Sequence, residues 1–150
     1  TKEAKRAMRE RERQERNEAR AGLMAGDERY FPPRDRGPAK KLTRDFVDGK
    51  RRLSEFFLFL AVGILLATFV QSAEAKNIAS LVWFALAILV VFDVLWMLFG
   101  LNKALREKFP EKSDRKGCTL YAIMRVLQIR KLRIPPPQVK PGGAPVQPKK

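Results

Sequence analysis

Residues 78–101 read IASLVWFALAILVVFDVLWMLFGL. Twenty-four consecutive residues carry one charge, Asp93. A helix needs about 20 apolar residues to cross the hydrocarbon core of a bilayer, so this stretch predicts a transmembrane helix with length to spare for tilt. Upstream, Phe56–Val70 is uncharged, and Gln71, Ser72 and Ala73 extend it toward the same length. That places a first span at 56–75 and a second at 78–101. The connecting stretch 71–77 is short and nearly neutral, with Glu74 set against Lys76 and residues 76–77 as the extracytoplasmic link. So short a connection joins only antiparallel helices. The expected fold is all-α and membrane-bound: a hairpin of two transmembrane helices with cytoplasmic amphipathic helices and extended tails.

The 150 residues include 31 Lys and Arg against 16 Asp and Glu, a net charge of +15. A soluble core draws its apolar residues from several amphipathic elements. Here they gather in 56–101. Of the basic residues, 17 fall in 1–55, 13 in 102–150 and one, Lys76, in the link. Arg51 and Arg52 abut the first span, and Lys103, Arg106 and Lys108 abut the second. Basic residues near span ends face the cytoplasm. The distribution therefore predicts a multi-pass plasma-membrane protein with both termini inside, and it explains the net charge as a topology signal that also attracts anionic phospholipids.

Outside the spans, residues 1–26 predict a charged, solvated helix with Glu12 and Arg16 paired one turn apart, ended by Gly22 and Gly26. Residues 27–55 predict a turn broken by Pro32, Pro33 and Pro38, then an amphipathic helix over 39–54. Residues 102–134 predict a helical segment whose amphipathic part is 118–133. The Pro-rich stretch 135–150 predicts an extended tail, too poor in apolar residues to fold on itself, so that a partner would have to order it.

The chemistry of an enzyme is missing from the pattern. There is no histidine, so the sole cysteine, Cys118, has no imidazole in the sequence to activate it. With no carboxylate pair, phosphate loop or nucleophile triad, neither catalysis nor a metal or cofactor is expected. Asp93 must pair, stay protonated or face a polar surface; it reads as a contact to the other helix or to the interface, with a proton relay or a partner-binding carboxylate as the alternative. Trp83 and Trp96 suit the two membrane interfaces, and Gly63 suits close helix approach. The residues expected to pack together or to meet a partner are Tyr30, Phe31, Arg34, Arg36, Phe46, Asp93, Tyr121 and Arg125. Aromatics are not interleaved with the basic runs as nucleic-acid binding would favour, so nucleic acid is not an expected partner.

The runs DERYFPPRDRGP at 27–38, RDFVD at 44–48 and GCTLYAIMR at 117–125 resemble a family of small actinobacterial two-helix membrane proteins of unknown function. The resemblance covers roughly residues 27–135 and brings no catalytic residues. It implies an actinobacterial plasma membrane and a place as an accessory subunit beside the respiratory chain, the cytochrome bcc-aa3 supercomplex. The expected function is thus a non-catalytic accessory or assembly subunit of a larger membrane protein complex. The alternatives are a stand-alone protein binding anionic lipid and a membrane-protein biogenesis factor contacting the ribosome.

Overall fold

Good helix formers from Lys2 onward, the prolines at 32–38 and the glycines at 26, 37, 49 and 117 divide the chain into five α-helices. A computed structural model describes residues 1–146. Its helices are α1 (Lys2–Ala25), α2 (Pro38–Asp48), α3 (Ser54–Ala67), α4 (Ala73–Lys108) and α5 (Cys118–Leu127). Three-residue 3-10 turns lie at Glu28–Tyr30, Pro33–Asp35 and Arg130–Leu132. The described residues contain no strand, only one isolated bridge between Val139 and Pro145. The chain is all-α.

Ser72 caps α4, its hydroxyl accepting from the Ala75 amide. The helix then runs unbroken for 36 residues, and it is long and apolar enough to cross a membrane. It absorbs what the sequence reads as a link and a charged exit, because Ala73–Lys76 and Asn102–Lys108 are good helix formers with nothing to break them. α3 is shorter than the span expected at 56–75. Its regular part has 14 residues, and the chain tightens through Thr68–Val70, where the Phe69 and Val70 amides donate to Leu66 and Ala67 carbonyls three residues back.

The two helices form an antiparallel hairpin. The Leu53 amide donates to Asp93 at one end, the Phe57 ring lies 5.3 Å from that of Trp83, and Ile64 and Ala67 line a shared groove with Ala75 and Ala79 at the other. Ala79, buried, supplies the close approach expected of Gly63, whose own α-carbon faces open space. Trp83 is held against α3, while Trp96 stacks on Phe92 and stays exposed. Nearly all large apolar side chains of the hairpin point outward.

The core sits at the far end of α4. Met97, Leu101 and Leu105 pack with Ala39 and Val47 of α2 and with Cys118, Ala122 and Val126 of α5. Full burial of each large side chain contributes about 1.5–3 kcal/mol, enough for three short contact faces to hold together. α2 stops at Asp48, six residues short of the expected helix, and α5 stops at Leu127, before the basic run at 130–133.

Two expectations for the ends change. Gly22 does not end α1; the helix passes through it to Ala25, and Gly26, left-handed at φ +85°, closes it. Gly22 instead makes room for Tyr30, whose ring would lie 2.1 Å from any added β-carbon. The Pro-rich segment also folds back on the protein itself. The Gly142 amide donates to the Gly49 carbonyl at 2.8 Å, and the Val146 amide donates to Gln138 at 2.8 Å. Pro135 is buried. Backbone hydrogen bonds and the side chains of Arg125 and Arg130 hold this segment, not the burial of apolar side chains that its composition lacks. Residues 147–150 of the expected tail lie outside the described residues.

Candidate functional site

α2 and α5 each place a charged residue on the face that also buries small apolar ones. On α2 the buried face holds Ala39, Thr43, Arg44, Val47 and Asp48; on α5 it holds Cys118, Ala122, Arg125 and Val126. Packing the two helices therefore brings Asp48 and Arg125 together. Arg125 grips the carboxylate with Nη2–Oδ2 at 2.6 Å and donates a further bond to the Pro135 carbonyl at 2.9 Å. Arg133 reaches the other oxygen at 2.8 Å and spans on to Glu55, at the start of α3, at 3.0 Å. Arg130 donates to the Asp48 backbone carbonyl at 2.6 Å. Asp48 is 0% exposed, and the geometry accounts for every lone pair that matters. This hub joins the chain before the hairpin to the chain after it.

A second arginine organises the turn. Arg44, buried, stacks over the Phe31 ring at 4.9 Å, donates to the Asp35 carbonyl and pairs with Glu28 at 3.2 Å. Arg36 donates to the Phe31 and Arg29 carbonyls at 2.7 and 2.9 Å, pinning the same turn from outside. Arg29 in turn bridges Asp27, and its side-chain hydrogen bonds hold that carboxyl below the usual range. Phe31 is thus part of the fold's interior. Tyr30 is exposed and lies on α1. Phe46 borders the core and touches α4 at Gly100. Cys118 is fully buried in the core.

Asp93 takes the helix-contact role. It pairs with Arg52 at 3.5 Å and accepts the Leu53 amide at 3.2 Å, tying the beginning of α3 to α4. Ser54, next along, donates to the Val126 carbonyl and fixes α5 to the same level.

Three of the expected residues, Arg34, Tyr121 and Arg125, line one open groove with Asp35, Lys40 and Leu120. The Lys40 ammonium sits 4.9 Å above the Tyr121 ring. Burial pushes the Tyr121 phenol above its ordinary value, against the pull of Arg125 and Arg44. Its hydroxyl and Asp35 Oδ2 are buried without a hydrogen-bond partner. Beside the groove, α5 leaves Leu120, Met124 and Leu127 66, 58 and 58% exposed, one stripe at helical spacing. Leu132 and Ile134 add to it. α5 turns its small residues inward and Leu120 and Met124 outward, away from the 30–31 turn where Phe31 is buried. Among the described residues, no three His, Cys, Asp or Glu side chains are grouped as a metal site would need.

Asp48 and Arg133 were not singled out in the sequence. The signal for Asp48 was available: it stands one turn from Arg44 and five residues from Thr43, on the face that Val47 marks as buried. Arg133 had none, because an irregular segment delivers it.

A family described as a protein of unknown function (DUF3043) matches residues 1–143, which include the turn, the hub and the hairpin. The chain belongs to this family. An uncharacterized protein of Mycobacterium tuberculosis (strain ATCC 25618 / H37Rv) is 34% identical over 144 residues, covering 95% of this chain and 61% of the relative. One from Mycobacterium leprae (strain TN) is 35% identical over 131 residues, covering 83% of this chain and 55% of the relative. This DUF3043 chain therefore spans less than two thirds of the length of these relatives. The actinobacterial resemblance agrees with them. No solved structure matches the chain.

Proposed function

We propose that this protein is a non-catalytic accessory or assembly subunit of a larger plasma-membrane complex, anchored by α3 and α4 as two spans with both termini in the cytoplasm. Hairpin dimensions support the anchor. From Lys76 to Asp93 along α4 is about 26 Å at 1.5 Å per residue, close to the ~30 Å hydrocarbon core. The helical path from Ser54 to Val70 on α3 has a similar length. Between these levels apolar side chains face outward on every side, which water would penalise and lipid would not.

The observation that carries the subunit role is the α5 stripe. α5 lies on the charged side of the Asp93–Arg52 level: Thr119 bonds Asn102, nine residues past Asp93, and Val126 meets Ser54. Lipid tails do not reach Leu120 and Met124 there, so a protein surface is what would cover them. The buried Arg44, Arg125 and Arg133 are each engaged by several structural hydrogen bonds, which supports a role in holding rather than in chemistry. Among candidate bodies, we favour the respiratory cytochrome bcc-aa3 assembly, on the resemblance to small actinobacterial two-helix membrane proteins of unknown function and the place beside the respiratory chain that it implies.

The test is a Leu120→Ser, Met124→Ser, Leu127→Ser variant in the native membrane. All three side chains are exposed, so folding and insertion should persist. Wild-type chain should migrate with cytochrome subunits on native gels after mild detergent extraction, and the variant should run free. Wild-type chain recovered only as small isolated oligomers would overturn the proposal.

A further inference from the structure

α1 carries more order than its composition suggests. It buries no residue and touches the rest of the protein only through its last turns. Lys2, Arg6, Arg9, Arg13, Arg16 and Arg20 follow one another at steps of four, three, four, three and four residues. At 100° per residue they fall, with Lys5, inside one arc of about 100°, a cationic stripe about 27 Å long. Every member is exposed, and among the described residues only Arg16 has a partner, Glu12 at 3.2 Å. Of the half-buried residues at the root, Ala19 and Gly22 lie about 90° and about 150° from the centre of the arc and Leu23 falls at its edge beyond Arg20, so the stripe is free from Lys2 to Arg16.

Three polyanionic surfaces could meet such a stripe. An acidic helix would have to bury six arginines and lysines where a helix pair wants apolar residues, a desolvation that ion pairs seldom repay. A nucleic-acid groove wraps a helix with phosphates on both flanks, but Glu12 and Glu10 border the stripe on its two sides. A plane of anionic headgroups meets only the facing arc and leaves the flanking and opposite acids in water. It also asks for no bulky apolar face, and α1 has only Met8 along its free length.

The root of α1 is close to that plane. A β-carbon on Gly26 would stand 2.5 Å from Gln138. Gln138 is four residues, at most about 14 Å, from Gly142, which bonds Gly49 just ahead of Arg51 and Arg52 at the start of the hairpin. We propose that α1 lies along the cytoplasmic membrane surface with its cationic stripe on anionic phospholipid headgroups, a surface arm beside the hairpin. This rests on the membrane reading of α3 and α4. The contact is electrostatic, so it reaches only about 8–10 Å at physiological salt and weakens as salt rises.

The experiment places the whole chain in lipid nanodiscs of phosphatidylcholine alone or with one third phosphatidylglycerol. Cleavage of α1 by a glutamate-specific protease is then followed at Glu3, Glu10, Glu12, Glu15 and Glu18. Cleavage should slow about tenfold in the anionic discs and recover at 0.5 M salt. A variant with Arg6, Arg9, Arg13, Arg16 and Arg20 changed to Gln, which keeps the helix formers and every cleavage site, should be cut equally fast in both. Equal rates for wild-type chain in the two discs would overturn the proposal, as would protection of α1 in phosphatidylcholine on adding RNA but not on adding anionic lipid. Co-elution of the chain with either disc reports the hairpin separately, so failure to enter discs would sink the membrane reading and leave a distinct signature.

Discussion

At the scale of single residues, charges inside the protein are held by geometry that leaves little free. Asp48 is the clearest case. Asp48→Ala leaves Arg125 and Arg133 buried without their carboxylate, and removal of one member of such a cluster costs about 3–5 kcal/mol. Limited proteolysis in detergent should then open the chain at 127–135, while α4 stays protected. Replacing Asp48, Arg125 and Arg133 together by apolar residues of similar volume should recover much of that loss. Tyr121 behaves differently. Its hydroxyl has no partner, so Tyr121→Phe should change stability by less than about 0.5 kcal/mol near neutral pH. Its folded pKa is raised above the model-compound value of 10.0 by burial. The unfolded chain therefore ionises first, and the associated stability is whole below pH 10 and lost as pH rises through the raised value. Alkaline unfolding followed by circular dichroism should begin later for the Phe variant. Asp48 was legible as a buried position from its neighbours Thr43 and Val47; the arginine that completes it from 133 was not, since no periodicity governs an irregular segment.

Among elements, helix existence and type were readable and helix ends were not. The uncharged runs marked α3 and α4 because a run without charge has few other uses. The boundaries moved because tertiary contacts decide them: Asp93 fixes where α3 begins, and the hub stops α2 at Asp48. The Pro-rich segment was misread for the same reason, since its order comes from carbonyls gripped by Arg125 and Arg130 rather than from side-chain burial. The junction of α1 gives a prediction at this scale. Gly22→Ala pushes a methyl group into the Tyr30 ring, although alanine favours the helix itself by up to about 1 kcal/mol. Displacing Tyr30 should loosen the junction and raise cleavage at Arg29 several-fold, with α1 still helical by circular dichroism. Tyr30→Ala alone should raise cleavage to a similar extent, and combining it with Gly22→Ala should add nothing further; additive increases in the double variant would point away from this contact.

For the whole molecule, the two-span topology makes a direct demand. A single cysteine at Glu74 should react with a membrane-impermeant thiol reagent added outside intact cells, and cysteines at Lys5 or Lys140 should react only after lysis. Reaction of Glu74→Cys from inside alone would overturn the hairpin. The placement of the basic residues is what predicts this orientation, whereas the outward stripe on α5 was hidden in the sequence because its inward neighbours are just as apolar. The Asp48 hub has a further consequence for how the protein is made. Arg133 leaves the ribosome 85 residues after Asp48, a delay of roughly 4–17 s at 5–20 residues per second. Both spans are synthesised in that interval, and the carboxylate waits in water without its arginines. Under the proposed two-span topology, only a nascent chain that has threaded the second span back to the side where the first began would bring the two ends together. Closure of the hub would then serve as a checkpoint on the proposed insertion: a mis-threaded chain would strand Asp48 and Arg133 on opposite faces of the bilayer, leave its α5 segment unfolded, and present itself to quality-control proteases.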